Sequence, residues 1–464
     1  MKPKLNGPLV AFCLAALSGA SLPAQAAPRA CATPDFAGQA EAVMAPYEEI
    51  QAFSGAVLVA RDGRVVLRRG VGLADREWNV SNTPDTKFRL GSLTKQFTAA
   101  AILQLAEQGR LSIDDPISKY YPAAPASWSK VTIRRLLTHT SGIPSYTALP
   151  GFFDGAARLP HTPEQIIQLT RDKPLEFEPG TKFAYDNSGY IILGYVIEKA
   201  SGQSYADYLQ GHIFGPLGLK DTGYDVTAEV LPRRASGYGP AANGWVNAAF
   251  LDMSVPYAAG SLYSTVDDLL KWEDALFAGQ VVSPASLKLM TADQGNRYGF
   301  GLRIEQQNGH EVIAHAGGIA GFSTSLRRYP KDGVTSIVLA NFEAAQSVKI
   351  ASDLATLCLG EPVYPPEVKL SLVVLDGYAG TYATGPQLTL TIVREGDHLL
   401  ATAPGQIPTR LYAKGPGVFF AKTRDGEARF ELDAQSRPAA LILHGEGPDA
   451  RLNRVAGPGP SPGP

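Results

Sequence analysis

The chain predicts an α+β fold: a large domain whose antiparallel sheet is assembled from both of its ends around a helical insert, followed by a small all-β domain. Three observations carry this. Two β-rich runs, 54–60 and 64–69, flank Asp62-Gly63, a pair that favours a tight hairpin because glycine accepts positive φ. Strand patterns then stop until Tyr298, after which runs 300–306 and 311–315 flank Asn308-Gly309, and runs 322–329 and 335–341 flank Pro330-Lys331-Asp332-Gly333. Beyond a Pro-containing stretch at 361–370, only short strands between turns recur.

Taken in order, residues 1–26 have the form of a secretory signal, with Lys2 and Lys4, an apolar centre from Leu9 to Leu17, and Ala24-Gln25-Ala26 before the cut. The mature chain is therefore expected to be periplasmic or secreted, and no later apolar run is long enough to span a bilayer. The large domain is set at 27–360. It opens with helical spacing over 35–53, where Pro46 kinks or divides the helix. After the first hairpin, Ala99 to Gln108 is an apolar helical run ending at Gly109. Further helices are expected at 191–200, 205–214, 266–275 and 343–359. A linker follows at 361–370, an all-β domain at 371–454 with strands at 388–394, 398–402, 418–422, 428–433 and 439–443, and a disordered tail at 455–464. Cys31 precedes the first helix and Cys358 ends the last of the large domain, so the fold can pair them in an oxidising compartment; two buried thiols are the other reading.

With 464 residues, a formal net charge of −2 and 45% hydrophobic residues, the composition is that of an ordinary globular protein. The near-neutral balance argues against nucleic acid as a partner.

The chemistry centres on Ser92 and Lys95, three residues apart in the first turn of the helix and thus on one face. A serine hydroxyl is a weak nucleophile without an adjacent base, and a lysine in an apolar site can lose its proton near neutral pH and serve as one. The pattern alone is weak, since Ser127-Trp128-Ser129-Lys130 fits it too, in a loop with no helix behind it.

Other segments agree with the first. Phe88-Arg89-Leu90-Gly91-Ser92-Leu93-Thr94-Lys95 resembles the nucleophile motif of the serine β-lactamase and penicillin-binding-protein superfamily, in particular the branch of class C β-lactamases, D,D-carboxypeptidases, D-aminopeptidases and esterases. Leu136 to Pro144, Tyr185 to Tyr190, Ala259 to Thr265 and His315-Ala316-Gly317-Gly318 follow in that branch's order, so the resemblance covers about residues 40–358. It implies a three-layer α/β/α domain. Tyr378-Ala379-Gly380-Thr381-Tyr382 is similar to the lipocalin-like barrel appended to some members.

The resemblance also implies roles. Tyr185 faces Ser92 as a proton carrier whose pKa is drawn down by the Lys95 charge, and Asn187 donates to and accepts from a substrate amide. Asp186 is expected to point to solvent. His315 stands where most β-lactamases have lysine, as a polar donor beside the tyrosine that is charged part of the time. Gly317 lets substrate lie along the strand, and the N–H groups of Ser92 and Gly318 form the oxyanion hole. His139 is expected to be a structural hydrogen-bonder rather than a triad base. His310 and Glu311 with His315 lack the spacing of a metal site, so neither metal nor organic cofactor is expected.

These expectations describe an exported serine acyl-hydrolase acting on a small molecule or peptide with an amide or ester bond. D-amino-acid peptidase or amidase, esterase and β-lactamase remain open, as does a non-catalytic penicillin-binding-type sensor. Ala316 and Gly318 lack the hydroxyls that hold a substrate carboxylate in relatives, so neutral acyl groups are expected to be favoured.

Overall fold

A computed structural model describes Cys31 and residues 35–456, apart from 242–243, 386–387 and 446. The expected signal segment and residues 457–464 of the expected tail lie outside the described residues.

Helix α1 (Phe36–Glu49) leads into the hairpin β1 (Gly55–Arg61) and β2 (Arg64–Val71). The insert contributes α2 (Thr94–Glu107), α3 (Asn187–Ser201) and α4 (Val266–Phe277). Strands β3 (Arg303–Gln307), β4 (His310–Ile319), β5 (Phe322–Tyr329) and β6 (Val334–Ala340) then complete the sheet, before α5 (Ser347–Leu359). The six strands lie in the order β3-β4-β5-β6-β1-β2, so the central pair β6–β1 joins the two ends of the domain, Gly55 opposite Ala340 and Arg61 opposite Val334. Alternation assigns the two faces of β1: Ala56, Leu58 and Ala60 join the core under the insert, while Val57 and Val59 join the core under α1 and α5. That is the three-layer arrangement expected.

Cys31 and Cys358 form a disulfide that ties the start of the domain to the end of α5, with Cα atoms 4.4 Å apart. The last helix starts later than its sequence pattern predicts. Glu343 is held in a turn, its carboxylate accepting from the Gly321 N–H at 2.9 Å and its own N–H donating to Tyr238 O, so α5 begins at Ser347.

After residues 361–370, α6 (Leu372–Tyr378) precedes a closed eight-stranded barrel, β7 (Gly380–Thr384), β8 (Leu388–Glu395), β9 (His398–Thr402), β10 (Thr409–Gly415), β11 (Val418–Ala421), β12 (Glu427–Leu432), β13 (Pro438–His444) and β14 (Ala450–Ala456). The sequence pattern marks none of β7, β10, β14 and α6: the three strands carry Gly, Lys or Arg that weaken the alternation and are paired by partners distant in sequence, and α6 is only seven residues long. The expected start of the tail at 455 is corrected: Val455 and Ala456 end β14, and Ala456 pairs with Thr381. No helix among the described residues is long and apolar enough to cross a membrane.

Candidate active site

Phe88 and Arg89 pair with Ser264 and Tyr263, and the Arg89 guanidinium is held by the buried Asp225 carboxylate at 2.7 Å. This short strand delivers the chain into a 3₁₀ turn, Gly91–Leu93, that runs into α2. Gly91 has φ +55°, and a Cβ there would lie 3.0 Å from both N and O of Gly318. The glycine therefore lets the Ser92 turn press against β4. At Gly317 a Cβ would fall 2.0 Å from Leu90 O, so a glycine is required here for the same close packing. A Cβ at Gly318 would meet nothing within 4 Å, and that residue lines the open side.

Lys95 is fully buried, and its Nζ lies 3.1 Å from Ser92 Oγ, 2.8 Å from Asn187 Oδ1 and 2.9 Å from Ala259 O. Burial pulls its pKa down to about 7, against a smaller upward pull from Asp186. A neutral amine has two N–H bonds and one lone pair. The two carbonyl-type acceptors take the N–H bonds, which leaves the lone pair facing the Ser92 hydroxyl.

Tyr185 lies over this group, with Lys95 Nζ 4.9 Å from its ring centre. Its hydroxyl is buried beside the Ser92 hydroxyl and makes no hydrogen bond of good geometry among the described residues. The expectation of a lowered phenol pKa is corrected: burial raises it well above the usual value, and the Ser92 hydroxyl and Arg303 offset this only in part. Tyr185 is thus a neutral O–H donor. The Asn187 amide accepts from Lys95 at Oδ1 and donates from Nδ2 to Thr147 Oγ1 at 3.0 Å, so it positions the lysine, while its second N–H and second lone pair remain on a side chain that lines the Ser92 cavity.

Asp186 does not point to solvent. It is buried and caps α3, its carboxylate accepting from the N–H of Ser188 at 2.7 Å and of Gly189 at 3.0 Å. Burial still raises its pKa to about 7. An aspartate directly before a helical run is a cap signature, and that signal was available in the sequence.

Behind Tyr185 runs a chain of neutral hydrogen bonds. The Asp186 N–H donates to His139 Nδ1 at 3.0 Å, which leaves the His139 proton on Nε2, facing Tyr298 Oη at 3.2 Å. Tyr298 in turn donates to His315 Nε2 at 3.0 Å, and His315 Nδ1–H donates to Ala316 O at 2.6 Å. His139 is the structural hydrogen-bonder expected, at φ +55°. His315 is not: burial, with Lys95 and Arg303 adding, drives its pKa down to about 3, so it stays neutral and its ring serves Tyr298 instead of acting as a partly charged donor. Tyr298 and Thr147 were invisible to the sequence reading, because neither lies in a spaced motif. His310 pairs with Asp332 at 2.8 Å and Glu361 at 2.9 Å, and Lys130 of the second Ser-x-x-Lys pairs with Glu178 at 2.6 Å.

Ser92 opens on a cavity of about 270 Å³ whose wall includes Tyr146, Leu251, Val255, Pro256 and Ile319. Phe153 and Phe250 stand exposed at its edge. Among the described residues, no charged side chain lines it. Arg303, which makes no ion pair among the described residues, borders a separate hollow with His315, Ala316 and Arg327.

The family model described as Beta-lactamase matches residues 40–357. The Bacillus subtilis protein that carries the name penicillin-binding protein PbpX is 34% identical over 288 residues, 62% of this chain and 70% of its own. A D-aminopeptidase of Brucella anthropi is 29% identical over 321 residues, 66% of this chain and 59% of its own. Among solved structures, the D-amino acid amidase of Ochrobactrum anthropi, bound to L-phenylalanine amide, superposes with a TM-score of 0.62 at 26% identity, covering 70% of this chain and 98% of that one.

Proposed function

The chain belongs to the beta-lactamase family, and on that basis we propose that it is an exported serine acyl-hydrolase that prefers uncharged, apolar acyl groups in esters or amides. The observation that carries the reading is the Lys95 amine, buried, poised near neutral pH and 3.1 Å from Ser92 Oγ. Ser92 attacks the carbonyl carbon as its proton passes to the Lys95 lone pair. The N–H groups of Ser92 and Gly318 hold the oxyanion. Collapse expels the alcohol or amine, which takes a proton from the ammonium of Lys95 through the Tyr185 hydroxyl. Water then attacks the acyl-enzyme along the same route and releases the acid.

Similarity to a D-aminopeptidase and a D-amino acid amidase supports amide substrates, and the apolar cavity supports a neutral acyl group. A free α-ammonium would find no acid in the cavity wall, and a carboxylate no cation. Export is supported by the form of residues 1–26 and by the Cys31–Cys358 disulfide.

The test compares kcat/KM on one preparation for a short p-nitrophenyl ester, an N-acetylated D-alanine amide, D-alanine amide and nitrocefin. The ester and the blocked amide should exceed the free D-alanine amide and nitrocefin. Nitrocefin fastest would place the enzyme with the β-lactam hydrolases. A fluorophosphonate should label Ser92, and Ser92→Ala should lower turnover by on the order of 10³-fold or more. Labelling at Ser127, or unchanged turnover in Ser92→Ala, would overturn the mechanism.

A further inference from the structure

The barrel interior is filled at one end and open at the other. Tyr378, Tyr382, Phe419 and Phe430 pack together with Leu375 of α6, and this end is closed. Toward the opposite end the inward positions shrink to Ala401, Ala421, Ala428 and Ala450, and a cavity of about 300 Å³ remains, with Leu390 and Leu443 in its wall. An eight-stranded barrel is just wide enough for side chains to fill it or to hold one small ligand. Small residues facing one another leave the second outcome here. The cavity has room for about ten groups the size of a water molecule or a methylene, and its wall is mostly aliphatic.

Among the described residues the charges at the rim are paired, with one exception. Asp425 is bridged to Lys349 of α5 at 3.0 Å, Glu427 to Lys414 at 3.1 Å and Arg429 at 2.9 Å, and His444 to Asp449 at 2.8 Å. Arg424 also lines the cavity and makes no ion pair or side-chain hydrogen bond among the described residues. Its side chain is exposed at this rim, so the guanidinium is open to a ligand arriving from solvent. An aliphatic tube closed at its far end, with one unpaired guanidinium at its mouth, is complementary to a single unbranched chain that ends in an anion.

We propose that the C-terminal barrel is a binding site for a medium-chain monocarboxylate, its chain in the alanine-lined end and its carboxylate on Arg424. The site is separate from Ser92, and the proposal stands whether or not the reading of that serine holds.

The full-length protein is titrated calorimetrically with decanoate and with decyltrimethylammonium, each below its micelle concentration. Decanoate should bind saturably at one site, at least ten-fold tighter than the cation. Arg424→Gln should weaken decanoate about ten-fold or more and abolish that difference, as expected for loss of a charge-assisted hydrogen bond. Ala401→Phe, which fills the cavity, should remove binding while ester hydrolysis at Ser92 persists, and that hydrolysis reports that the variant is folded. Absence of saturable decanoate binding, equal affinity for the cation, or unchanged decanoate affinity in Arg424→Gln would each overturn the proposal. So would decanoate binding that survives in Ala401→Phe, since the ligand would then lie elsewhere, in the Ser92 cavity for example. Should Ala401→Phe fail to fold, Arg424→Gln decides alone, because its side chain sits on the rim and carries no packing.

Discussion

At the scale of single residues, burial shifts three groups around Ser92 toward their neutral forms. Lys95 falls to about 7, Asp186 rises to about 7 and His315 falls to about 3, each chiefly through burial. With the neutral amine as the proposed base, kcat/KM for an uncharged ester should climb with pH and level off above about 7. A profile flat between pH 6 and 8 would remove Lys95 from that role. Asp186 holds the lysine value up, so Asp186→Asn should move the midpoint to lower pH. Tyr185→Phe keeps the ring, and should lower turnover far more than it lowers the melting temperature. Tyr298→Phe is expected to do the opposite. It leaves His139 and His315 without a partner at their Nε2 atoms in a buried setting, a loss of roughly 1–3 kcal/mol in thermal unfolding.

At the scale of elements, α3 and α4 each carry a buried acid to a different end. In α3 the cap is stabilising: Asp186→Ala should lower stability by about 1 kcal/mol, while Asp186→Asn retains most of the cap. In α4, Glu273 is fully buried, both its carboxylate oxygens lack a hydrogen-bond partner among the described residues, and its pKa rises to about 8 despite Arg328 nearby. The fold therefore favours the protonated acid. The penalty is absent below pH 4.5, grows as pH climbs from 4.5 to about 8, and is constant above that. Glu273→Gln should leave stability at pH 4.5 unchanged and raise it at pH 8 by on the order of 1–3 kcal/mol, read from melts at the two pH values. A gain of equal size at both would assign the effect to packing.

At the scale of the whole molecule, the disulfide and the barrel contacts converge on the same face of the sheet. Cys31–Cys358 closes a separation of 327 residues between the start of the large domain and the end of α5. The barrel meets that layer through the Tyr47 hydroxyl donating to Lys422 O at 3.2 Å, the Lys349–Asp425 bridge, and an ion pair between Arg410 and Glu49 of α1. Reduction should lower the stability of the large domain by roughly 2–5 kcal/mol, measured by denaturant unfolding with and without reductant. Unchanged unfolding would mean that α1 and α5 are held by their shared apolar core alone.

What the sequence by itself determined is what depends on short separations. Ser92 and Lys95 stand on one helical face because three residues make nearly one turn, and the strands at 55–71 and 303–340 announce themselves through alternation and Gly-containing turns. The order of the spaced motifs was likewise enough to place Tyr185 and Asn187 beside that pair. Only the tertiary structure decided which groups are dry. The Lys95 pKa falls toward neutrality, Asp186 becomes a buried cap and His315 stays neutral because of what packs around them, and Tyr298 joins the site from a loop that no motif marks. The weakly alternating strands β7, β10 and β14 are made strands by partners, and the barrel's open end by four alanines from four different strands. Local periodicity is written along the chain, whereas desolvation and enclosure are properties of residues brought together from far apart.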